Sequence, residues 1–243
     1  MSKRTFRIVM AIFAVLAAIS GYHYYKFFYL DADAMNARQL EETNYAYAGL
    51  VSAIAADQAE YEYTVYINPV TGGSNQGLVN GPLHEADIVL DVANYVKSLN
   101  EDGGLRVVLA RETDTNPTSA QRTSILETVH PDIIIELHVA ADANPSAMGV
   151  VAHYDGSYYN YELAGDVFAD AIVNGIASRC ETKIAGVYAD GIDIYALEYD
   201  RSIPTIAVEC GYISNSEEGA ALSSDAYRQN IARGILDGIA AVR

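Results

Sequence analysis

From Tyr63 onward the chain alternates short β-rich runs with helix-length segments, and this alternation constrains the fold more than any other feature. Alternating strands and helices are typical of a mostly parallel, twisted sheet with helices on both faces, because parallel strands need long crossover connections. The strands are predicted at residues 64–68, 105–110, 132–138, 149–154 and 205–209, with a short strand or turn at 192–197. The helices are predicted at residues 85–100, 119–129, 159–180 and 225–242. The sequence therefore predicts one α/β domain over residues 62–243.

The first 30 residues predict a membrane anchor. Basic residues at positions 3, 4 and 7 precede an apolar run over residues 8–20, and a flank rich in Tyr and Phe extends it to Leu30. About 23 residues are enough to cross a hydrocarbon core of about 30 Å. Because Lys and Arg favour the cytoplasmic side, the N-terminus is expected inside the cell and the domain outside. Small residues near Ala17 and Ser20 leave a cleaved signal peptide as the alternative, and both interpretations export the domain.

Residues 31–61 are interpreted as a stalk or linker. The segment is polar, and the spacing of Leu40, Tyr47, Leu50 and Ile54 suits one or two helical stretches. A weakly amphipathic spacer is the common meaning of such a pattern, and a helix that binds a protein partner is the alternative.

Charge and cysteine content exclude some functions. With 32 acidic and 15 basic residues, the formal net charge is -17, and such a surface repels nucleic acid. The two cysteines, Cys180 and Cys210, lack the Cys-x-x-Cys spacing of a metal or redox site. They could pair outside the cytoplasm, and the sequence leaves their redox state open.

Polar residues lie at the ends of several predicted strands. The first strand leads into a turn rich in Pro and Gly over residues 68–73, and another ends at His138. A late strand delivers Glu209, and Glu85 opens the helix that follows the first turn. Ligands of open α/β sheets bind at the carboxyl ends of the strands. Imidazole and carboxylate groups at this edge have the chemistry that a hydrolytic zinc site needs.

These motifs resemble those of the zinc-dependent N-acetylmuramoyl-L-alanine amidases of bacterial cell walls. That family carries D-P-G-H-G-G after the first strand, a Glu that opens the next helix, a strand ending S-I-H-A-N, and a late E-x-G-F-x-S-N. This chain reads N-P-V-T-G-G, Glu85, E-L-H-V-A and E-C-G-Y-I-S-N in the same order. The family's T-R-x-x-D appears as A-R-E-T-D at residues 110–114, followed by Arg122. The resemblance covers residues 63–243.

The resemblance implies roles for particular residues. Glu85 and His138 match two of the three protein ligands of the zinc ion, and Glu209 matches the catalytic glutamate. Thr71 occupies the position of the third ligand, a histidine in the family, and a neutral hydroxyl is a poor zinc ligand beside imidazole. His84 and His153 are the candidate replacements. The residues that would bind substrate are not identified by the motifs.

Two main hypotheses follow from the resemblance. The favoured one is a degenerate amidase that keeps the fold and acts on or binds peptidoglycan at the surface of the bacterial cell membrane, as a binding, scaffolding or regulatory protein with a degenerate zinc site; zinc is expected only if the protein is active. The alternative is an active zinc amidase that hydrolyses the amide bond between N-acetylmuramic acid and L-alanine with a replacement ligand. A third interpretation is hydrolysis with another metal or another substrate. Whether the chain is an enzyme is therefore left open by its sequence.

Overall fold

The computed structural model describes residues 31–57, 60–157, 163–191, 200 and 202–243. The anchor predicted at residues 1–30 and the strand or turn predicted at 192–197 lie outside these ranges. The chain divides into two compact units, Met1–Asn44 and Tyr45–Arg243. Within the described ranges, no helix is both long and apolar enough to cross a membrane.

The elements largely follow the predicted order. The helices are α1 (Asp31–Ala56), α2 (Glu85–Leu99), α3 (Ser119–Val129), α4 (Gly165–Cys180), α5 (Ser216–Leu222) and α6 (Asp225–Val242). The strands are β1 (Tyr63–Pro69), β2 (Val79–Asn80), β3 (Leu83–His84), β4 (Leu105–Leu109), β5 (Ile133–Ala140), β6 (Val150–Tyr154), β7 (Ile184–Tyr188) and β8 (Thr205–Tyr212).

The main sheet has six strands in the order β4-β1-β5-β8-β6-β7. Strands β4, β1, β5 and β8 are parallel to one another, whereas β6 pairs antiparallel with β8 and parallel with β7. The predicted α/β fold with a mostly parallel sheet is therefore confirmed. The short strands β2 and β3 form a separate antiparallel pair.

Helices cover both faces of the sheet. On one face, strand residues such as Ile67 and Ile135 pack against α2, α4 and α6. On the other face, Tyr66 and Ile134 pack against α3 and the end of α1. Because successive residues of a strand point to opposite faces, strands that are buried on both sides appear in the sequence as continuous apolar runs.

The end of α1 is part of the unit that contains the sheet. This unit begins at Tyr45, inside the segment that the sequence suggests is a stalk. Tyr47, Leu50 and Val51 pack against the buried cluster around Ile54 and Tyr66. Their helical spacing places them on one side of α1, which explains why this part of the helix lies on the sheet.

Several elements differ from the prediction. Strand β7 was not predicted, because it is an edge strand with half-exposed residues and a central Gly186 and so lacks the apolar run of a buried strand. Helix α4 begins at Gly165 rather than at residue 159, and residues 158–162 lie outside the described ranges. The β2–β3 pair has two residues in each strand, too short for a periodic signal.

Candidate active site

The carboxyl ends of the parallel strands β1, β5 and β8 meet at one edge of the sheet, which we call the rim. The loop after β1 carries the β2–β3 pair across this edge and leads into α2. The loop also caps the helix, since the Glu85 N–H donates to the Leu78 carbonyl at 2.8 Å and the Ala86 N–H donates to the Gln76 carbonyl at 3.2 Å. The first residue of α2 is thereby held at the rim.

The Glu85 carboxylate is held by backbone groups from two sides. Its Oε2 accepts a hydrogen bond from the Leu78 N–H at 2.9 Å, and its Oε1 accepts one from the Val139 N–H at 3.4 Å. Gly77, with a φ of 65°, lies directly against this carboxylate. A Cβ at Gly77 would come within 3.0 Å of both Glu85 and the Thr71 methyl group, so only glycine fits there.

The structure brings Glu85, His138 and Glu209 to the rim together. The Nδ1 atom of His138 lies 3.5 Å from Oε1 of Glu85. His138 and Glu209 are register partners on the parallel strands β5 and β8, so their side chains leave the same face of the sheet. The predicted convergence of these three residues is therefore found in the geometry, while their chemical roles stay predictions.

A bulge turns the end of β8 just after Glu209. The register with β5 shifts between His138 and Ala140, and Gly211 adopts a φ of 141°, which disfavours residues with a Cβ. The next residue, Tyr212, donates its N–H to the buried carboxylate of Glu218 at 2.8 Å. The glycine of the E-C-G-Y motif thus shapes the strand end that carries Glu209.

Arg111 organises the loop that carries Thr71. Its guanidinium donates to the carbonyls of Pro69 and Ala86 at 3.0 and 2.9 Å and also to the Thr71 carbonyl. Burial lowers the pKa of Arg111 to about 10. The Asp114 carboxylate accepts the Gly73 N–H at 2.7 Å. Both side chains stabilise the loop by binding its backbone.

Thr71 lies beside Glu85 at the position where the family resemblance expects a histidine. Its side chain is buried, and its Oγ1 atom has no hydrogen-bond partner among the residues that the structure describes. A buried polar atom without a partner is uncommon and suggests that a ligand or an ion belongs beside it. Thr71 thus puts a neutral side chain next to Glu85 where the family resemblance expects an imidazole.

The donor set at the rim falls short of a catalytic zinc site, which needs three protein ligands and a water. In the described part of the chain, no three His, Cys, Asp or Glu side chains are grouped closely enough to hold a metal ion. The candidate replacements make other contacts. His84 Nδ1 lies 2.7 Å from Gln76 Oε1, and His153 Nδ1 lies 2.9 Å from Asp190 Oδ1. Neither joins Glu85 and His138.

A second polar cluster lies on the α3 side of the sheet and was not predicted. Asn68 and Glu136 are register partners on β1 and β5, and the Asn68 amide donates to Glu136 Oε1 at 3.2 Å. Arg122 of α3 donates to Asn68 Oδ1 and to the Val70 carbonyl. The departures of Asn68 and Glu136 from the family motifs were the signal available in the sequence.

Comparison with known proteins identifies the family. The Amidase_3 family model, described as N-acetylmuramoyl-L-alanine amidase, matches residues 65–241, and the chain belongs to this family.

Relatives and solved structures agree with this family. The N-acetylmuramoyl-L-alanine amidase CwlM of Mycobacterium tuberculosis is 29% identical over 180 residues, covering 72% of this chain and 44% of that protein. The germination-specific amidase of Bacillus subtilis is 26% identical over 191 residues, covering 72% of this chain and 77% of that protein. The structure of AmiC2 of Nostoc punctiforme matches with a TM-score of 0.66 and 26% identity, covering 75% of this chain and 98% of that one. The match spans less than half of CwlM.

Proposed function

We propose that this protein binds peptidoglycan at the bacterial cell surface through an amidase fold whose zinc site is degenerate. The observation that carries the proposal is the composition of the rim: Nδ1 of His138 lies 3.5 Å from Oε1 of Glu85, and the residue at the position of the third ligand is the neutral Thr71, whose methyl group lies next to Gly77 and Glu85. Two ligands hold zinc weakly, because affinity depends on ligand number and on the charge and basicity of the donors.

The rim offers groups that suit an amide ligand. Glu209 is half-buried and lies beside His138, so its carboxylate is placed to accept the N–H of an amide bond. The carboxylate of Glu85 already accepts hydrogen bonds from two backbone N–H groups, so its position at the edge of the site is fixed. Such a site binds the junction between N-acetylmuramic acid and L-alanine without an activated water to cleave it.

The second candidate is an active zinc amidase, and the position of Glu209 favours it. A carboxylate beside a metal-bound water is the general base that the family's reaction requires, and Glu209 neighbours His138 across β5 and β8. In this case Glu85 and His138 would hold the zinc together with a replacement ligand, and Glu209 would serve as the catalyst.

Metal content and activity of the purified full-length chain distinguish the two candidates. The degenerate site predicts retention on peptidoglycan sacculi, substoichiometric zinc after dialysis against zinc, and no release of L-alanine N-termini. Glu209→Gln should weaken retention, with Glu217→Gln as the matched control because Glu217 is an exposed carboxylate eight residues away. Stoichiometric zinc together with amidase activity that Glu209→Gln abolishes would replace the first candidate with the second.

A restoring substitution tests the geometry directly. Thr71→His adds an imidazole beside Glu85 and should raise zinc affinity by at least tenfold, since a third nitrogen ligand completes the set. Thr64→His adds the same group near the start of β1, away from the rim, and should leave the affinity unchanged. Equal zinc affinity in both variants would show that Thr71 does not face a shared site with His138.

The location at the cell surface is part of the same proposal. It rests on the basic residues and the apolar run within positions 1–30, which predict a single-pass anchor with the domain outside. Protease treatment of intact spheroplasts should degrade the domain and leave a cytoplasmic control protein intact. Protection of the domain would contradict the proposed orientation.

A further inference from the structure

A cavity of about 640 Å³ lies on the α3 side of the sheet. Its floor is formed by Tyr66, Asn68 and Glu136, and its walls include Pro117, Ser119 and Leu126. The volume lies in the range of small-molecule binding sites. The cavity shares β1 and β5 with the rim site, since Glu136 stands two residues before His138 on β5.

The floor of the cavity is polar and buried. Glu136 and Asn68 are 0% and 2% exposed and are hydrogen-bonded to each other at 3.2 Å. Tyr66 is 1% exposed, and its hydroxyl has no hydrogen-bond partner among the described residues. Burial raises the pKa of this phenol, so the hydroxyl keeps its proton and can donate. A buried hydroxyl without a hydrogen-bond partner destabilises the protein, and a ligand that forms a hydrogen bond with the hydroxyl removes this cost.

The charge of the floor selects the kind of ligand. Arg122 is engaged with Asn68 and with the carbonyls of Val70 and Pro117, so its guanidinium is committed to the protein. The cavity is lined by two carboxylates, Glu136 and Glu127, against the one guanidinium of Arg122, so the formal charge of its lining is negative and disfavours anions. A carboxylate and hydroxyls are suited to the O–H and N–H groups of a neutral ligand, while Leu126 offers an apolar surface.

We propose that this cavity binds one uncharged amino-sugar residue of a glycan strand, with Glu136 accepting sugar hydroxyls and Tyr66 donating to the ligand. The inference deepens the proposed binding of peptidoglycan and rests on it. Asn68 and Glu136 stand where the family motifs have Asp and Ser, so this floor departs from the family pattern. A glycan strand bound in this cavity would lie along β1 and β5 and extend toward the rim, because Glu136 of the cavity and His138 of the rim are both on β5.

Binding of the uncharged trisaccharide of N-acetylglucosamine to the full-length chain tests the proposal by calorimetry. Tyr66→Phe removes only the hydroxyl and should weaken binding about tenfold, while the midpoint of unfolding without sugar stays equal or rises, because an unpaired buried group is lost. Tyr63→Phe is the matched control. Tyr63 lies on the same strand and packs toward the opposite face, so its loss should leave binding unchanged. Glu136→Gln should weaken binding at least as much as Tyr66→Phe.

The outcomes separate the cavity from the rim. Equal affinity of the wild type and Tyr66→Phe for the trisaccharide would overturn the proposal. Retention on sacculi without any trisaccharide binding would overturn it as well and leave the proposed function standing. Failure to bind either sacculi or trisaccharide would overturn both.

Discussion

The buried polar groups of Glu218 and Thr71 differ in how completely their hydrogen bonds are satisfied. The carboxylate of Glu218 accepts bonds from the Gly149 N–H, the Tyr212 N–H and the Thr182 hydroxyl at 2.8 to 3.1 Å. At the rim, by contrast, the Thr71 hydroxyl is buried without a partner among the described residues. Satisfied clusters rigidify a fold, whereas incomplete ones mark places where a ligand belongs. The comparison separates a carboxylate that holds β8 from a buried hydroxyl that has no partner among the described residues.

The largest effect is expected at Glu218. Glu218→Ala leaves three donors without their acceptor in a buried site and should lower the free energy of unfolding by about 3 to 5 kcal/mol, since hydrogen bonds to charged groups are worth about 1.5 to 3 kcal/mol each. Glu209→Gln should change it by less than about 1 kcal/mol, because Glu209 is half-buried at the rim. Urea denaturation followed by circular dichroism measures both. Comparable losses in the two variants would contradict the distinction.

A pair of threonines gives the next largest effect. Thr205 is buried and donates its hydroxyl to the Ile203 carbonyl at 2.9 Å, so Thr205→Val should destabilise the protein by about 1 kcal/mol. Thr71→Val removes a hydroxyl with no partner among the described residues and should be neutral or stabilising by up to about 1 kcal/mol. The same denaturation assay compares the two variants. Destabilisation by Thr71→Val would mean that its hydroxyl is satisfied in solution.

The sequence predicts the sheet and the rim because both depend on local patterns. Apolar runs separated by Gly and Pro turns mark the parallel strands, and the carboxyl ends of such strands meet at one edge, which brings His138 and Glu209 together. The Asn68–Glu136 contact could not be predicted, since it depends on the register of strands whose contacting residues are 68 positions apart. No pattern in the sequence indicates a cavity beside Tyr66. The antiparallel direction of β6 likewise depends on its pairing with the distant β8.

The smallest effect is expected for Cys180, a residue near Glu218, and concerns how the free energy of unfolding depends on pH in the alkaline range. Burial raises the pKa of the Cys180 thiol from 9.0 to about 12, with Glu218 adding to the shift. Between these values the unfolded chain loses a proton that the folded chain keeps, so this group stabilises the fold below pH 9 and the contribution is lost as the pH rises toward 12. In this window the free energy of unfolding of the wild type should fall with rising pH, and Cys180→Ala should make the fall less steep, by an amount that corresponds to at most about one proton. Thr71→Val at the rim should keep the wild-type slope. Denaturation at a series of alkaline pH values measures the slopes, and a wild-type slope in Cys180→Ala would show that the thiol is not buried with the Glu218 cluster.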